Sequence, residues 1–125
     1  MAGNPSAVGL ARSGAGGPPP VFPVATVVDA TNTATVVAAV AAKRIAALGL
    51  SVTGESANAA LFELKDGAAG TVLWHAFIAN TTQPVVVTAP AGGVLFRCST
   101  NTLLQADNSG DGDAYLNIQY VLEDP

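Results

Sequence analysis

The stretch that decides the fold is AYLNIQYVL, residues 114–122, close to the end of a 125-residue chain. Leu116 and Ile118 alternate there with the polar Asn117 and Gln119. Strict alternation of apolar and polar residues is typical of a β-strand with one buried face and one exposed face. The stretch therefore predicts a strand of a half-buried sheet.

Other short segments rich in strand-forming residues precede this strand along the chain. They are residues 24–28, 33–37, 44–53, 58–64, 71–79, 85–88 and 94–99. Turn-forming residues stand between them, and the run 65–67, Lys-Asp-Gly, is a good hairpin signal. Short strands at this regular spacing predict an all-β fold, a β-sandwich or jelly roll of about eight strands.

Residues 35–48 leave their secondary structure open. The alanines of this stretch, together with Val36, Val40 and Leu48, suit a helix as well as a strand. We favour strand, because a lone helix fits poorly in a sandwich.

The chain divides into an arm and a domain. Residues 1–22 hold five glycines and four prolines, and such a segment forms no hydrophobic face. The triple proline Pro18, Pro19 and Pro20 favours an extended polyproline II conformation. We therefore predict an extended arm over residues 1–22 and one sandwich domain over residues 23–125.

The composition is poor in charge. Charged residues make up 11% of the chain, against about 25% in typical soluble domains, and the net charge is −4 with five basic residues. A nucleic-acid binder needs a clustered basic face, which the lone pair Lys43 and Arg44 does not make. A surface with few charges is easier to bury against neighbouring subunits. We find no signal-peptide pattern and no membrane-spanning apolar run, and we expect a protein made in the cytoplasm.

The order of several short motifs resembles that of small virion proteins of tailed bacteriophages. A turn and an apolar strand over residues 32–42 lead to a second strand that opens with basic residues. An alternating strand then ends at the Lys-Asp-Gly turn, a Gly-Thr-Val-Leu strand follows at residues 70–73, and the last strand closes on Tyr120 and Val121. The resemblance covers about residues 24–123 and leaves the arm outside.

The resemblance implies a β-sandwich or jelly roll on the virion, for example a capsid decoration (cement) protein that bridges neighbouring subunits, without catalytic residues. The expected partners are the major capsid protein and other copies of the chain. We favour a trimer at three-fold lattice junctions over a dimer across a two-fold axis. No cofactor, nucleic acid or membrane is expected. The expected assembly contacts are Val8, Leu10, Pro18, Pro19, Pro20, Lys43 and Arg44. The alternative function is a carbohydrate- or receptor-binding head domain of a fibre or spike, which would need exposed aromatic side chains.

Two residues with reactive side chains occur once each. His75 would have to be the base of any serine or cysteine hydrolase, but no nucleophile-elbow glycines stand near it, so we interpret it as structural or interfacial. Cys98 has no partner for an intramolecular disulfide, and we expect a small buried hydrophobic residue. Most aromatic residues have apolar neighbours, which predicts core packing.

The run 107–113, DNSGDGD, is the sharpest local motif. Alternating oxygen-bearing side chains and Gly112 match a calcium-binding EF-hand loop, but Ile118 stands where the bidentate glutamate should be. We interpret the run as an exposed acidic hairpin turn, with no metal expected. The candidate ligands, if calcium is bound, are Asp107, Ser109, Asp111 and Asp113.

Overall fold

The computed structural model describes residues 19–55, 58–79 and 84–125, and these contain strands and turns without a helix. The nine strands are β1 (Phe22–Val28), β2 (Asn32–Val37), β3 (Arg44–Gly54), β4 (Ala60–Asp66), β5 (Thr71–Ile78), β6 (Val85–Thr88), β7 (Phe96–Arg97), β8 (Leu104–Asn108) and β9 (Ala114–Glu123). The predicted all-β class is confirmed. No helix in the described part of the chain is long and apolar enough to cross a membrane.

The strands form two antiparallel sheets packed face to face. Sheet A has the order β1-β9-β3-β6, with β7 also paired to β3, and sheet B has the order β2-β8-β4-β5. Most successive strands cross from one sheet to the other, which is the connectivity of a jelly roll. One lateral side of the sandwich therefore carries β1 and β2, and the other carries β5, β6 and β7.

The core lies between the sheets and follows from the alternation of the strands. Leu116 and Ile118 of β9 are at most 1% exposed, and they belong to the same hydrophobic core as Phe62 and Leu64 of β4, which are equally buried. Burying each such side chain stabilises the fold by about 1.5–3 kcal/mol. The residues between them, such as Asn117, face outwards.

The ambiguous stretch 35–48 is strand, turn and strand. Strand β2 ends at Val37, a turn follows in which Ala42 has a φ of 62°, and β3 begins at Arg44. The Lys43 amide donates to the Val40 carbonyl oxygen across this turn. The preference for strand was therefore right.

The sequence pattern predicts no strand at residues 104–108, yet β8 lies in the middle of sheet B between β2 and β4. Its inward side chains Leu104, Ala106 and Asn108 are all 0% exposed. The segment LQADN holds no β-branched or aromatic residue, so its strand propensity is low. Pairing with neighbours on both sides overrides that local preference.

Other predicted boundaries differ from the observed ones by small amounts. Strand β1 begins at Phe22, and the strand predicted over residues 94–99 is reduced to the two residues of β7. Of the predicted arm contacts, Val8, Leu10 and Pro18 lie outside the described residues. Pro19 is buried and Pro20 is exposed.

Candidate functional site

The outer face of sheet A carries uncharged side chains across four of its strands, β1, β9, β3 and β6. Strand pairing aligns them in three rows: Pro23, Gln119, Gly49 and Thr88; Ala25, Asn117, Ser51 and Val86; and Val27, Tyr115 and Thr53. Val86 is 65% exposed, Val27 is 47% exposed and Tyr115 is 42% exposed. We call these rows the uncharged face. It is a sheet surface of small polar and apolar groups with three exposed large apolar side chains.

Ion pairs lie at one end of sheet A, beyond these rows. The Glu123 carboxylate, whose side chain is 15% exposed, accepts from Arg97 Nε at 2.7 Å and from Arg44 Nε at 3.0 Å. The hydrogen bond from Arg97, and then that from Arg44, lowers the pKa of Glu123, while the same Arg97 contact raises the pKa of Arg97. Nearby, Lys43 Nζ lies 2.6 Å from Asp124 Oδ1.

The predicted assembly contacts Lys43 and Arg44 are therefore engaged in ion pairs within the chain. With Lys65, which contacts Asp107, every lysine and arginine side chain in the described ranges has an acidic partner. Neutralisation within the chain leaves no basic patch there for a polyanion.

The outer face of sheet B is different, because charged and apolar side chains stand next to each other. Lys65 Nζ lies 2.9 Å from Asp107 Oδ2 and 3.7 Å from Glu63 Oε1. The hydrogen bond to Asp107, opposed by burial, raises the pKa of Lys65. This cation therefore joins acids on two neighbouring strands, β4 and β8.

A shallow groove of about 260 Å³ runs along β4 and β5 on this face. Cross-strand pairing places Glu63 opposite His75 and Leu61 opposite Phe77. Phe77 is 65% exposed and Leu61 is 45% exposed. The lining residues are Leu61, Phe62, Glu63, His75, Ala76, Phe77 and Ser109.

The groove brings Ser109, His75 and Glu63 to one place, as a hydrolase would require. No hydrogen bond joins these three side chains among those found in the described residues. A nucleophile and its base must lie within hydrogen-bond reach. The geometry offers a binding surface and not an assembled nucleophile.

The acidic run 107–113 is held by a buried asparagine, which was not among the candidate residues predicted from the sequence. Asn108 is 0% exposed. Its Nδ2 donates to the carbonyl oxygens of Val28 at 3.1 Å and Gly112 at 2.8 Å, and its Oδ1 accepts from the Gly110 amide at 3.1 Å. The side chain thus fastens the β8–β9 turn to the end of β1. The one signal in the sequence was that Asn108 follows Leu104 and Ala106 at alternate positions of a strand, which all face the same side of the sheet.

Glycine is required in this turn because the backbone of another segment approaches closely. A Cβ on Gly112 would lie 2.2 Å from the Asn58 carbonyl oxygen, and one on Gly110 would lie 2.6 Å from the Leu61 nitrogen. The Gly112 amide also donates to the Ala59 carbonyl oxygen at 2.8 Å. Packing against the start of β4 accounts for the glycine that matches the EF-hand pattern.

The candidate calcium ligands are dispersed. Asp107 contacts Lys65, and Asp113 Oδ1 accepts from the Ala30 amide at 2.8 Å. Ser109 and Asp111 are exposed. Within the described residues, no group of three or more His, Cys, Asp or Glu side chains is placed to hold a metal ion.

Cys98 is a buried free thiol, as the sequence predicted. It is 3% exposed. Burial, and then the negative charge of Asp66, raises the pKa of Cys98 to about 12. The thiol is therefore protonated at neutral pH and is a poor nucleophile.

The prediction that the aromatic residues pack in the core holds for only some of them. Phe62 and Phe96 are buried. Phe77, Tyr115 and Phe22 are exposed, in the last case with its ring centroid 5.4 Å from that of Tyr120. The exposed rings lie on both sheets, so no face carries a platform of several aromatics.

No family model and no curated protein matches the chain. A solved structure described as "Bacillus endospore appendages form a novel family of disulfide-linked pili" is similar to it at 16% identity, over 89% of this chain and 96% of that chain, with a TM-score of 0.37. At this TM-score the likeness carries no functional argument.

Proposed function

We propose that the chain is a virion structural protein that decorates the capsid of a tailed phage and stabilises it by bridging neighbouring subunits. The observation that carries the proposal is the uncharged face of sheet A. The order of the sequence motifs, which resembles that of phage virion proteins, is the reason for proposing a phage capsid as the assembly.

The uncharged face has the properties of the centre of a protein interface. Interface centres are depleted in charged residues and enriched in aromatic ones. Docking this face buries no charge, so it avoids the desolvation penalty that an unpaired charge would bring. Burying Val27, Val86 and Tyr115 on docking would stabilise the complex by about 25 cal/mol for each Å² of apolar surface removed from water. Many copies on one particle then add their weak contacts through multivalency.

The ion pairs at the end of sheet A suit the rim of such an interface, which is polar and accessible to solvent. Lys43 and Arg44 take part in the proposed assembly contact at this position. Their charges are already paired with Asp124 and Glu123, so they set orientation more than affinity. The proposed arm contacts Val8, Leu10, Pro18 and Pro20 would add an attachment to a neighbouring subunit, whereas Pro19 is buried within the chain itself.

The test is the substitution Val86→Lys in the middle row of the uncharged face. The side chain is 65% exposed, so the isolated domain should fold normally. We expect occupancy on particles to fall about tenfold, since a lysine must be desolvated on docking. Electron cryomicroscopy of particles that carry parent or variant protein measures it. Thr35→Lys, at an exposed outward position of β2 in sheet B, is the control.

Full occupancy of the Val86→Lys variant would contradict the docking face. Absence of the chain's peptides from purified virions, measured by mass spectrometry, would contradict the virion location itself.

A second candidate function is carbohydrate or receptor binding, and the groove on sheet B favours it. Phe77 offers an apolar ring to the C–H face of a sugar, and His75, Glu63 and Ser109 offer hydrogen bonds. The groove provides one exposed aromatic ring, whereas carbohydrate-binding modules use two or three. NMR titration with glucose and N-acetylglucosamine oligomers tests it: shifts confined to the groove and lost in Phe77→Ala would support it.

A further inference from the structure

Strand β5 has an open edge. It is the last strand of sheet B, and it pairs with β4 alone. Its sequence, TVLWHAFI, contains no proline, lysine or acidic residue. In the described ranges, none of its backbone groups is hydrogen-bonded beyond the sheet pairing. A long edge strand without such protection is a template for pairing with another strand.

The other described edges are protected. Strand β1 contains Pro23, which has no amide hydrogen, and β2 is irregular between Thr35 and Val37. Strand β6 has four residues and stands between Pro84 and Pro90, while β7 has two. Strand β5 also has an irregularity, between Val72 and Trp74, but its residues 74–78 pair regularly. Among the edges in the described residues, β5 alone combines a regular stretch of five residues with the absence of proline.

A second copy of the chain is the partner that fits this edge. A pairing strand must bring an open edge of similar length, and the described residues provide one such edge, β5 itself. Because each copy has a net charge of −4, copies repel each other except where their surfaces are neutral, and β5 has no acidic or basic residue besides His75. Identical strands that pair antiparallel are related by a two-fold axis, the commonest symmetry of oligomers.

The side chains beside the edge support the same arrangement. Phe77 and Leu61 lie on the outer face of sheet B and are 65% and 45% exposed. Directly opposed residues of an antiparallel pair share one face of the sheet, so pairing would place the exposed Phe77 of each copy against outer-face residues of the other. Apolar surface that is exposed to solvent in a single copy would be buried in the dimer.

We infer that β5 is a self-association interface, through which two copies form a dimer with one continuous eight-stranded sheet. The inference deepens the proposed function and rests on it for its context. A two-fold axis perpendicular to the joined sheet leaves both uncharged faces directed the same way. Both copies can then dock on one surface, which adds avidity without new contacts. This arrangement favours the dimer over the trimer that three-fold junctions suggest.

The test compares Phe77→Lys with Val86→Lys in the full chain. The two residues are equally exposed, 65% each, and each lies on the outer face of its sheet. Phe77 is in β5, at the proposed dimer interface, whereas Val86 is in β6 of sheet A. We expect the parent and Val86→Lys to dimerise equally in sedimentation velocity. Phe77→Lys should weaken dimerisation about tenfold or more, because a lysine on an edge strand opposes pairing.

Amide hydrogen exchange provides a second measurement. Residues 71–78 should exchange more slowly as the concentration of the parent rises, and this dependence should disappear in Phe77→Lys. A parent that stays monomeric at about 100 μM would overturn the inference. A trimer unaffected by Phe77→Lys would also overturn it, as would protection of β5 in a monomer, which would mean that another part of the chain covers the edge.

The inference and the proposed function fail separately. If Val86→Lys keeps full occupancy on particles while Phe77→Lys loses the dimer, the docking face is wrong and the dimer stands. If Phe77→Lys changes nothing in solution while Val86→Lys leaves the particle, the dimer is wrong and the docking face stands.

Discussion

The outer faces of the two sheets are built by the same alternation but differ in chemistry. On sheet A the outward positions of β9 within the uncharged face are Tyr115, Asn117 and Gln119, and the charged Glu123 lies at the end of the strand. On sheet B the outward positions include Lys65 and Asp107, joined at 2.9 Å. The charged groups of sheet B keep their solvation only if that face stays largely wet. The period of a strand thus decides which residues face outwards, while the choice of residue at those positions decides what a face can bury.

The largest expected effect comes from the residue that fastens the two sheets together. Asn108→Ala should lower the free energy of unfolding by about 3 kcal/mol, because it removes the hydrogen bonds that the side chain makes to three buried backbone groups. Urea unfolding measures this change. Asn117→Ala on the uncharged face is the control and should stay within about 0.5 kcal/mol. Equal effects of the two substitutions would show that the Asn108 hydrogen bonds are not what holds the turn.

The next effect tests the close approach in the β8–β9 turn. Gly112→Ala should destabilise the fold by about 2 kcal/mol, since its Cβ would lie 2.2 Å from a backbone oxygen. Gly49→Ala, on the uncharged face, is the matched control, because its nearest neighbours would be 3.4 Å away. Thermal unfolding separates them. A Gly112→Ala protein as stable as Gly49→Ala would contradict the packing explanation for this glycine.

A smaller effect concerns the ion pairs at the end of sheet A. Because Arg97 and Arg44 lower the pKa of Glu123 below its ordinary value of 4.5, the carboxylate contributes stability above that value. This contribution is lost as the pH falls through the lower pKa of the folded state. Arg97→Gln should cost about 0.5 kcal/mol at pH 7 and less at pH 3, as urea unfolding at both pH values would show.

Carbon NMR titration of the Glu123 carboxyl group provides the direct check. Its pKa should rise towards 4.5 in Arg97→Gln. An unchanged titration would mean that Arg97 is not the main cause of the shift.

Most of the fold could be predicted from the sequence, because β-branched residues and alternation mark the strands where propensity and packing agree. Strand β8 could not, since LQADN has low strand propensity and owes its conformation to two neighbouring strands. Most aromatic residues were predicted to pack in the core because they have apolar neighbours, and Phe77, between Ala76 and Ile78, is one to which this does not apply. Phe77 occupies an outward position of an edge strand, and its side chain is therefore exposed.

Less of the candidate site could be predicted. The uncharged face joins Ala25, Asn117, Ser51 and Val86 in one row, and these residues are far apart in the chain. Which residues share a row depends on strand order and on irregularities in register, such as the one between Ala47 and Gly49. Local sequence patterns carry no information about strand order or register. The sequence therefore indicated that the chain is poor in charge, but not which face of the protein lacks charged residues.

The smallest change separates charge from shape in the comparison of the two faces. Asn117→Asp on the uncharged face and Gln105→Glu on sheet B each convert an amide to a carboxylate of the same size, and each makes the net charge one unit more negative. Asn117 is exposed, and Gln105 is paired across from Lys65. Neither variant should change the free energy of unfolding by more than about 0.5 kcal/mol. On particles they should differ, because a carboxylate in the centre of a docked face loses its solvation without gaining a partner. We expect reduced occupancy for Asn117→Asp and parent occupancy for Gln105→Glu. If both variants lose occupancy equally, overall charge governs attachment and the distinction between the two faces does not hold.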